Sequence, residues 1–528
     1  MKKIIALVLA AVILLSSCVK SKTTAISDNY LTYYEIFVRS FYDSNNDGIG
    51  DLKGILQKFD YLHDGNPNSK KSLNIGGIWL MPIMPSPSYH KYDVTDYYAI
   101  DPQYGSMEDF EAMLTMCKEK DVSLIIDLVL NHTSSQHEWF KSAEVSIGIP
   151  PCGQKICKYK ELCSVHNQYC KYYNFSMESQ TGYAQVPLYS DWYYECRFVK
   201  EMPDLNLDEP LVRNEIIKIM KFWLEKGVSG FRLDATTSFY TGNNEKNTEF
   251  LKWIKTEASK INKNCYLVGE AWSTAGDIKE LYGSGIDSFF NFPFSQISGV
   301  FIPAVRSENG SEVAKKIQSW QAEIIQISPN SIDATFLSNH DNGRSSGMLN
   351  RDTEMEKMAA ALYLLTPGNS IIYYGEEVGL TGSGKDENKR LPMLWSISDK
   401  TGIPNAPPNA EYFVQPDKGV AEQLKDKNSL LNYYIQLIRI KNQNPEIAKG
   451  TLKAIETQDA GIVAFSVEYN SSKLYVIHNL SAQTIKLTFS KEQYGFKKMI
   501  DNLSVSDEKV SLKGDIITMP ARSSVILK

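Results

Sequence analysis

The chain has 528 residues, 43% of them hydrophobic and 22% charged, with 32 Gly and 21 Pro. That balance excludes a mostly disordered or collagen-like chain and leaves material for a large core and two to four domains. A formal net charge of −6 argues against nucleic acid as a partner, because phosphate neutralisation needs clustered Lys and Arg.

In chain order, the first feature is an address. Lys2 and Lys3 precede the apolar run Ile4–Leu15 and then Ser16-Ser17-Cys18, the charged region, short apolar region and small-residue cleavage site of a signal peptide. The run is shorter than the ~20 residues of a bilayer-spanning helix. Its ending resembles a bacterial lipobox. The resemblance implies removal of residues 1–17, lipidation of Cys18, and an exported cell-envelope lipoprotein facing the extracellular or periplasmic side. Polar residues 18–29 read as the tether.

Next comes Asp43-Ser44-Asn45-Asn46-Asp47-Gly48-Ile49-Gly50-Asp51. Asp43, Asn45 and Asp47 at positions 1, 3 and 5, Gly48 at 6, the Ile49 carbonyl at 7 and Asp51 at 9 form the start of an EF-hand-type loop. The bidentate Glu at position 12 is replaced by Gly54. Acids and amides at alternating positions repel one another without a cation, so Ca2+ is expected here rather than a solvated Asx turn.

From Tyr33 to about Asn444, short apolar or β-branched runs alternate with longer amphipathic stretches. The predicted strands are Tyr34–Val38, Gly77–Pro82, Leu124–Val129, Gly230–Ala235, Tyr266–Ala271, Ser288–Phe292, Ala334–Asn339 and Ser370–Tyr374. Predicted helices include Met107–Lys120, Leu211–Lys226 and Asn247–Ile261. Eight such units predict a (β/α)8 barrel over 30–132 and 204–444. Residues 133–203 lack a helical pattern and are too many for an ordinary loop, so they read as a small inserted domain. Five of the eight Cys crowd into it: Cys152, Cys157, Cys163, Cys170 and Cys196. In an exported chain this density predicts disulfides, with the pairing open. The spacings do not match a paired CxxC zinc pattern. Residues 445–528 switch to period two and predict an antiparallel β-sandwich.

Several predicted strands end in groups that carry chemistry. The third gives Asp127 and Asn131-His132, the fourth Arg232 and Asp234, the fifth Glu270, and the seventh His340-Asp341. A lone acid at a strand end is commonly a helix N-cap. Acids, His and an Arg converging on one barrel mouth suit glycoside hydrolysis instead, which needs one carboxylate at an oxocarbenium-like centre and a second to protonate the leaving oxygen. Arg232 and Asp234, two residues apart, share a strand face. Arg232 is expected to hold Asp234 ionised by lowering its pKa. The apolar flank of Glu270 is expected to raise its pKa for general-acid work.

The strings DLVLNH, GFRLDA, GEAW and NHD resemble, in order and on the right strands, the main motifs of the α-amylase family of glycoside hydrolases. GGIWLMPI, EMPDLN, GEEVGL and KRLPMLW add to the resemblance, which covers about residues 30–528. It implies Asp234 as nucleophile, Glu270 as acid/base and Asp341 as transition-state stabiliser, with Tyr92, His132, Arg232 and His340 lining the subsite of the cleaved glucose ring. It also implies calcium in the 43–51 loop, far from catalysis. Tyr89-His90-Lys91-Tyr92 resembles the YHGY of α-amylases, whereas exo-glucosidases carry an Asp at the first position that clamps the chain end. Ala235 stands where members preferring α-1,6 bonds tend to carry Val. EMPDLN lies between the motifs of the oligo-1,6-glucosidase-like and neopullulanase-like groups, and HTSSQHEWF leans toward the glucosidases. The balance predicts an endo-acting, retaining α-amylase on starch, glycogen and maltooligosaccharides. A maltodextrin α-glucosidase or transglucosidase is the alternative. Outside enzymes, the alternative is a lipoprotein that holds starch without cleaving it, and the complete set of three carboxylates argues against that. The partners expected are an α-glucan and, through the lipid anchor alone, a membrane. The chain is expected to act as a monomer.

Overall fold

The computed structural model describes residues 28–411 and 413–528. The expected signal peptide, Cys18 and the tether up to residue 27 lie outside these residues. Eight parallel strands form one sheet: β1 (Thr32–Ile36), β2 (Gly77–Leu80), β3 (Ser123–Leu128), β4 (Gly230–Leu233), β5 (Tyr266–Gly269), β6 (Ser288–Phe289), β7 (Ala334–Thr335) and β8 (Asn369–Tyr373). From β1 to β6 each strand pairs with the next, and β8 pairs with both β7 and β1. The parallel bridge of Phe290 to Ala334 joins β6 to β7 and closes the barrel. The strands read as apolar runs because both faces are covered, one by the barrel interior and one by helices. Leu124, Ile125, Ile126 and Leu128 on β3 are all buried.

The helices follow the sequence pattern closely. Met107–Glu119 opens on a capping box between Ser106 and Asp109. Pro210–Lys226 has its Pro in the first turn and stops at Gly227, whose φ of 114° suits only glycine. It buries Val212, Ile216, Ile219, Met220 and Trp223 along one face.

Three expectations need correction. Strands β6 and β7 are two residues long, because the backbone leaves the ladder early and becomes a held loop. The Leu337 carbonyl accepts from Gln296 N, and the Asn339 side chain accepts from the amides of Asp341 and Asn342. The inserted region does contain a helix, Glu138–Ile147, with Phe140, Ala143 and Ile147 buried. At ten residues it makes under three turns, too few for a clear period. It accompanies a small antiparallel sheet of Phe175–Ser176, Tyr183–Gln185 and Tyr193–Glu195. Finally, the seven cysteines among the described residues do not pair. Cys117, Cys152, Cys157, Cys163, Cys170, Cys196 and Cys265 are free thiols.

Beyond residue 450 a five-stranded antiparallel sheet (Thr451–Ala454, Ile462–Tyr469, Ser472–Asn479, Ser523–Leu527, Met499–Ser504) faces a three-stranded one (Ile485–Thr488, Ile516–Met519, Ser511–Lys513). Ile462, Ala464, Ile477, Ile517 and Val525 fill the space between the sheets. Val463, Phe465, Val467, Leu474 and Val476, on the other face, join the barrel's own core. No helix among the described residues is long and apolar enough to cross a membrane.

Candidate active site

Strand β4 carries Arg232 inside the barrel, and Asp234 follows one residue past its end. Arg232 is 0% exposed. Its Nη1 lies 2.7 Å from both Asp127 Oδ1 and Asp234 Oδ1, and its Nη2 lies 2.9 Å from Glu270 Oε2. One planar cation therefore faces three carboxylates delivered by β3, β4 and β5. Ala235, in the left-handed region at φ 45°, turns the chain so that its N–H donates to Glu270 Oε2 at 3.2 Å.

The loop after β7 supplies His340 and Asp341. His340 Nδ1 lies 2.6 Å from Glu35 Oε1, and Nε2 lies 2.6 Å from the Tyr92 hydroxyl and 3.1 Å from Asp341 Oδ2. Tyr92 stacks on the His340 ring with centroids 5.5 Å apart and donates its O–H to Asp127 Oδ2. Asp341 Oδ1 accepts from Arg390 Nη2 at 2.8 Å, and Arg390 Nη1 donates to the Tyr89 hydroxyl at 3.1 Å. The Asp341 side chain is 27% exposed, against 9% for Asp234 and 8% for Glu270, so it stands nearer the mouth.

Burial raises Glu270 above the ordinary carboxylate range, with Arg232 pulling against it. The same is true of Asp234. This corrects the expectation that Arg232 would depress Asp234: desolvation outweighs the ion pair. Asp127 is pushed up to about 7 by burial, again against Arg232. Burial alone would lower His340, but Asp341 and Glu35 overcome it and raise the imidazole to about 10. His340 is therefore a cation that donates from both ring nitrogens. Burial would raise Asp341, yet His340 and Arg390 hold it well below the usual carboxylate range.

His132 is buried, tilted against Phe198 of the inserted region at 5.2 Å, and burial drives its pKa down to about 4. Its Nε2 and Glu270 Oε1 are buried and make no hydrogen bond within the protein. The structure thus brings Tyr92, His132, Arg232, Asp234, Glu270, His340 and Asp341 to one barrel mouth.

Sequence reasoning missed Glu35 and Arg390 as members of the set, and it placed Asp127 at a strand end without giving it a role. Glu35 and Asp127 were detectable as charges inside otherwise apolar strands. Arg390 comes from the loop after β8, where no period marks it. Trp272, two residues past Glu270, is 54% exposed and stacks on Phe292.

The 43–51 loop is a separate structure. Asp43 Oδ1 accepts from the amides of Asn45 and Asn46, and its Oδ2 accepts from Gly48 N. Asn45 Oδ1 accepts from Asp47 N, and Asp47 Oδ1 from Ile49 N. Gly48 has φ 90°, and a Cβ there would stand 2.1 Å from Asn405 Nδ2. Asp51 caps the helix Leu52–Gln57 through Gly54 N and also holds Ser44. The donors are all oxygens on one tightly turned loop, a set that fits a hard divalent cation.

The family description "Alpha amylase, catalytic domain" matches residues 35–450. The chain belongs to the α-amylase family. Its tail, residues 462–526, matches the "Alpha-amylase SusG C-terminal domain". Among curated relatives of this family member, Alpha-amylase 3 of Dictyoglomus thermophilum is 37% identical over 504 residues, covering 94% of this chain and 92% of that one. The oligo-1,6-glucosidase of Parageobacillus thermoglucosidasius is 30% identical, covering 85% and 90%. Among solved structures, Eubacterium rectale Amy13B superposes with a TM-score of 0.88 at 41% identity, covering 96% of both chains.

Proposed function

We propose that this enzyme is a retaining, endo-acting α-amylase that hydrolyses α-1,4-glucosidic bonds of starch, glycogen and maltooligosaccharides. The observation that carries the reading is the Arg232 guanidinium holding Asp234 and Glu270 on adjacent nitrogens, which fixes two carboxyl groups toward one bond. Asp234 attacks the anomeric carbon while Glu270 protonates the leaving oxygen. Glu270, now ionised, takes a proton from water, which displaces Asp234. The carboxyl groups of such a pair stand about 5–5.5 Å apart. Asp341, held ionised by His340 and Arg390, faces the positive charge that develops on the ring. Tyr92, His132, Arg232 and His340 line the subsite of the cleaved ring.

The endo reading rests on Tyr89. Its hydroxyl is tied to Arg390 and pushed up to about 12 by burial, so it stays neutral and offers no anionic clamp at a chain end. Starch viscosity should therefore fall well before reducing ends accumulate. Release of glucose one unit at a time, with maltose preferred to longer oligomers, would instead favour the maltodextrin glucosidase or transglucosidase reading, which the 30% identity to an oligo-1,6-glucosidase supports.

Calcium in the loop of Asp43, Asn45, Asp47, Ile49 and Asp51 would neutralise its acids and brace it, with no part in bond cleavage. Signal cleavage after residue 17 and lipidation of Cys18 would tether the enzyme to the cell envelope, and labelling with a fatty acid that Cys18→Ser abolishes tests that. One chain supplies every residue of the site, so a monomer suffices.

A further inference from the structure

We propose that Cys152, Cys157, Cys163 and His166 form a closed structural zinc site in the inserted domain. Their ligand atoms, three sulfurs and a ring nitrogen, all lie within 4.8 Å of one another. Cys152 Sγ is 3.5 Å and Cys163 Sγ 3.2 Å from His166 Nδ1. Tetrahedral zinc with Zn–S of about 2.3 Å and Zn–N of about 2.0–2.1 Å has sulfur–nitrogen edges of about 3.5 Å. The two sulfur–nitrogen edges to Cys152 and Cys163 are thus close to that length, and no edge of the set exceeds 4.8 Å. Thiolates and imidazole select zinc over the hard cations that suit the oxygen-lined 43–51 loop.

An independent observation is what this segment buries. Between residues 151 and 166 only Cys157 and Cys163 are buried, while Ile156, Tyr159, Leu162 and Val165 are exposed. Its only regular structure is the single turn Lys160–Leu162. Sixteen residues with sulfur as their whole interior have no apolar core to hold them, and a cross-link must do that work. The segment leans on the helix Glu138–Ile147, where Ser146 Oγ donates to the Glu161 carbonyl and Asn167 Nδ2 donates to the Ser142 carbonyl. All four positions are protein ligands, so no open position remains for chemistry. Binding would release thiol protons to solvent and fix this segment on that helix. Cys170, which points its Sγ at the Ala143 carbonyl, and Cys196 stand outside the set.

The test is metal analysis of the whole exported protein purified without chelator, beside Cys163→Ser, His166→Gln and Cys196→Ser. The expected result is about one zinc per chain in the wild type and Cys196→Ser, and loss of it in the other two. If those two variants fail to fold, replacing zinc by Co(II) in the wild type should still give the visible absorption of a tetrahedral thiolate site. Zinc-free wild-type protein would overturn the proposal, whether peptide mapping finds Cys152, Cys157 or Cys163 in disulfides or as free thiols. So would zinc retained undiminished in both ligand variants.

Discussion

Arg232 is buried among Asp127, Asp234 and Glu270, so truncating it leaves three carboxylates without their cation. Breaking a buried ion pair from one side costs about 3–5 kcal/mol. Arg232→Ala should therefore lower the melting temperature as well as abolish activity, and calorimetry checks the first part. Asp234→Asn is the cleaner probe, since Asn keeps the shape and an acceptor for Arg232. It should stay folded and lose roughly 10³-fold or more in kcat, about 4 kcal/mol of barrier. His340 gives a pH signature. Its folded pKa of about 10 exceeds the ordinary value near 6.5. Its stabilisation is then full below about pH 6.5 and is lost as pH rises through 10. The melting-temperature gap between wild type and His340→Asn should narrow steadily from pH 7 to 10. A gap that widens would mean a neutral imidazole. These residues differ in how readable they were. Asp234 and Glu270 are strand-end acids and announce themselves by position, whereas Asp341 sits on the loop that follows the short β7. The net direction of Asp234's pKa did not, because spacing shows the Arg232 partner but not how completely both are desolvated.

At the scale of elements, continuous apolar runs located all eight barrel strands, since a strand covered on both faces must be apolar throughout. In residues 445–528, read by period two, the alternation is weakest at Thr451–Ala454, Met499–Ser504 and Ser511–Lys513, whose burial is mixed or partial. The ten-residue helix Glu138–Ile147 was missed as well. The cysteines were read from density and compartment, but three sulfurs meet His166, a grouping that only the fold of the loop makes visible. The 43–51 loop carries a prediction of its own. A ligand bound only to the native state stabilises it by about 2.7 kcal/mol at one hundred times its Kd. Calcium removal should lower the melting temperature by several degrees at most, and Asp47→Ala should cancel that sensitivity. An unchanged melting curve on chelation, with no calcium by metal analysis, would remove the ion from the account.

Over the whole molecule, the C-terminal sheets are part of the barrel's support. Val463, Phe465, Val467, Leu474 and Val476 lie in the same apolar core as the barrel helices, and Gln321 reaches across to the Leu452 amide. A chain ending at residue 450 would expose that apolar face, and it should aggregate or melt markedly lower than the full chain. The barrel's closure by the bridge of Phe290 to Ala334 is what brings groups from β1 to β8 within hydrogen-bond reach at one mouth. The central claim is that Asp234 and Glu270 work as a nucleophile and an acid/base across one α-glucosidic bond. Proton NMR of the first products from a maltooligosaccharide, taken before mutarotation, tests it most directly. The account predicts new reducing ends in the α configuration. Reducing ends that appear first as the β anomer would contradict it.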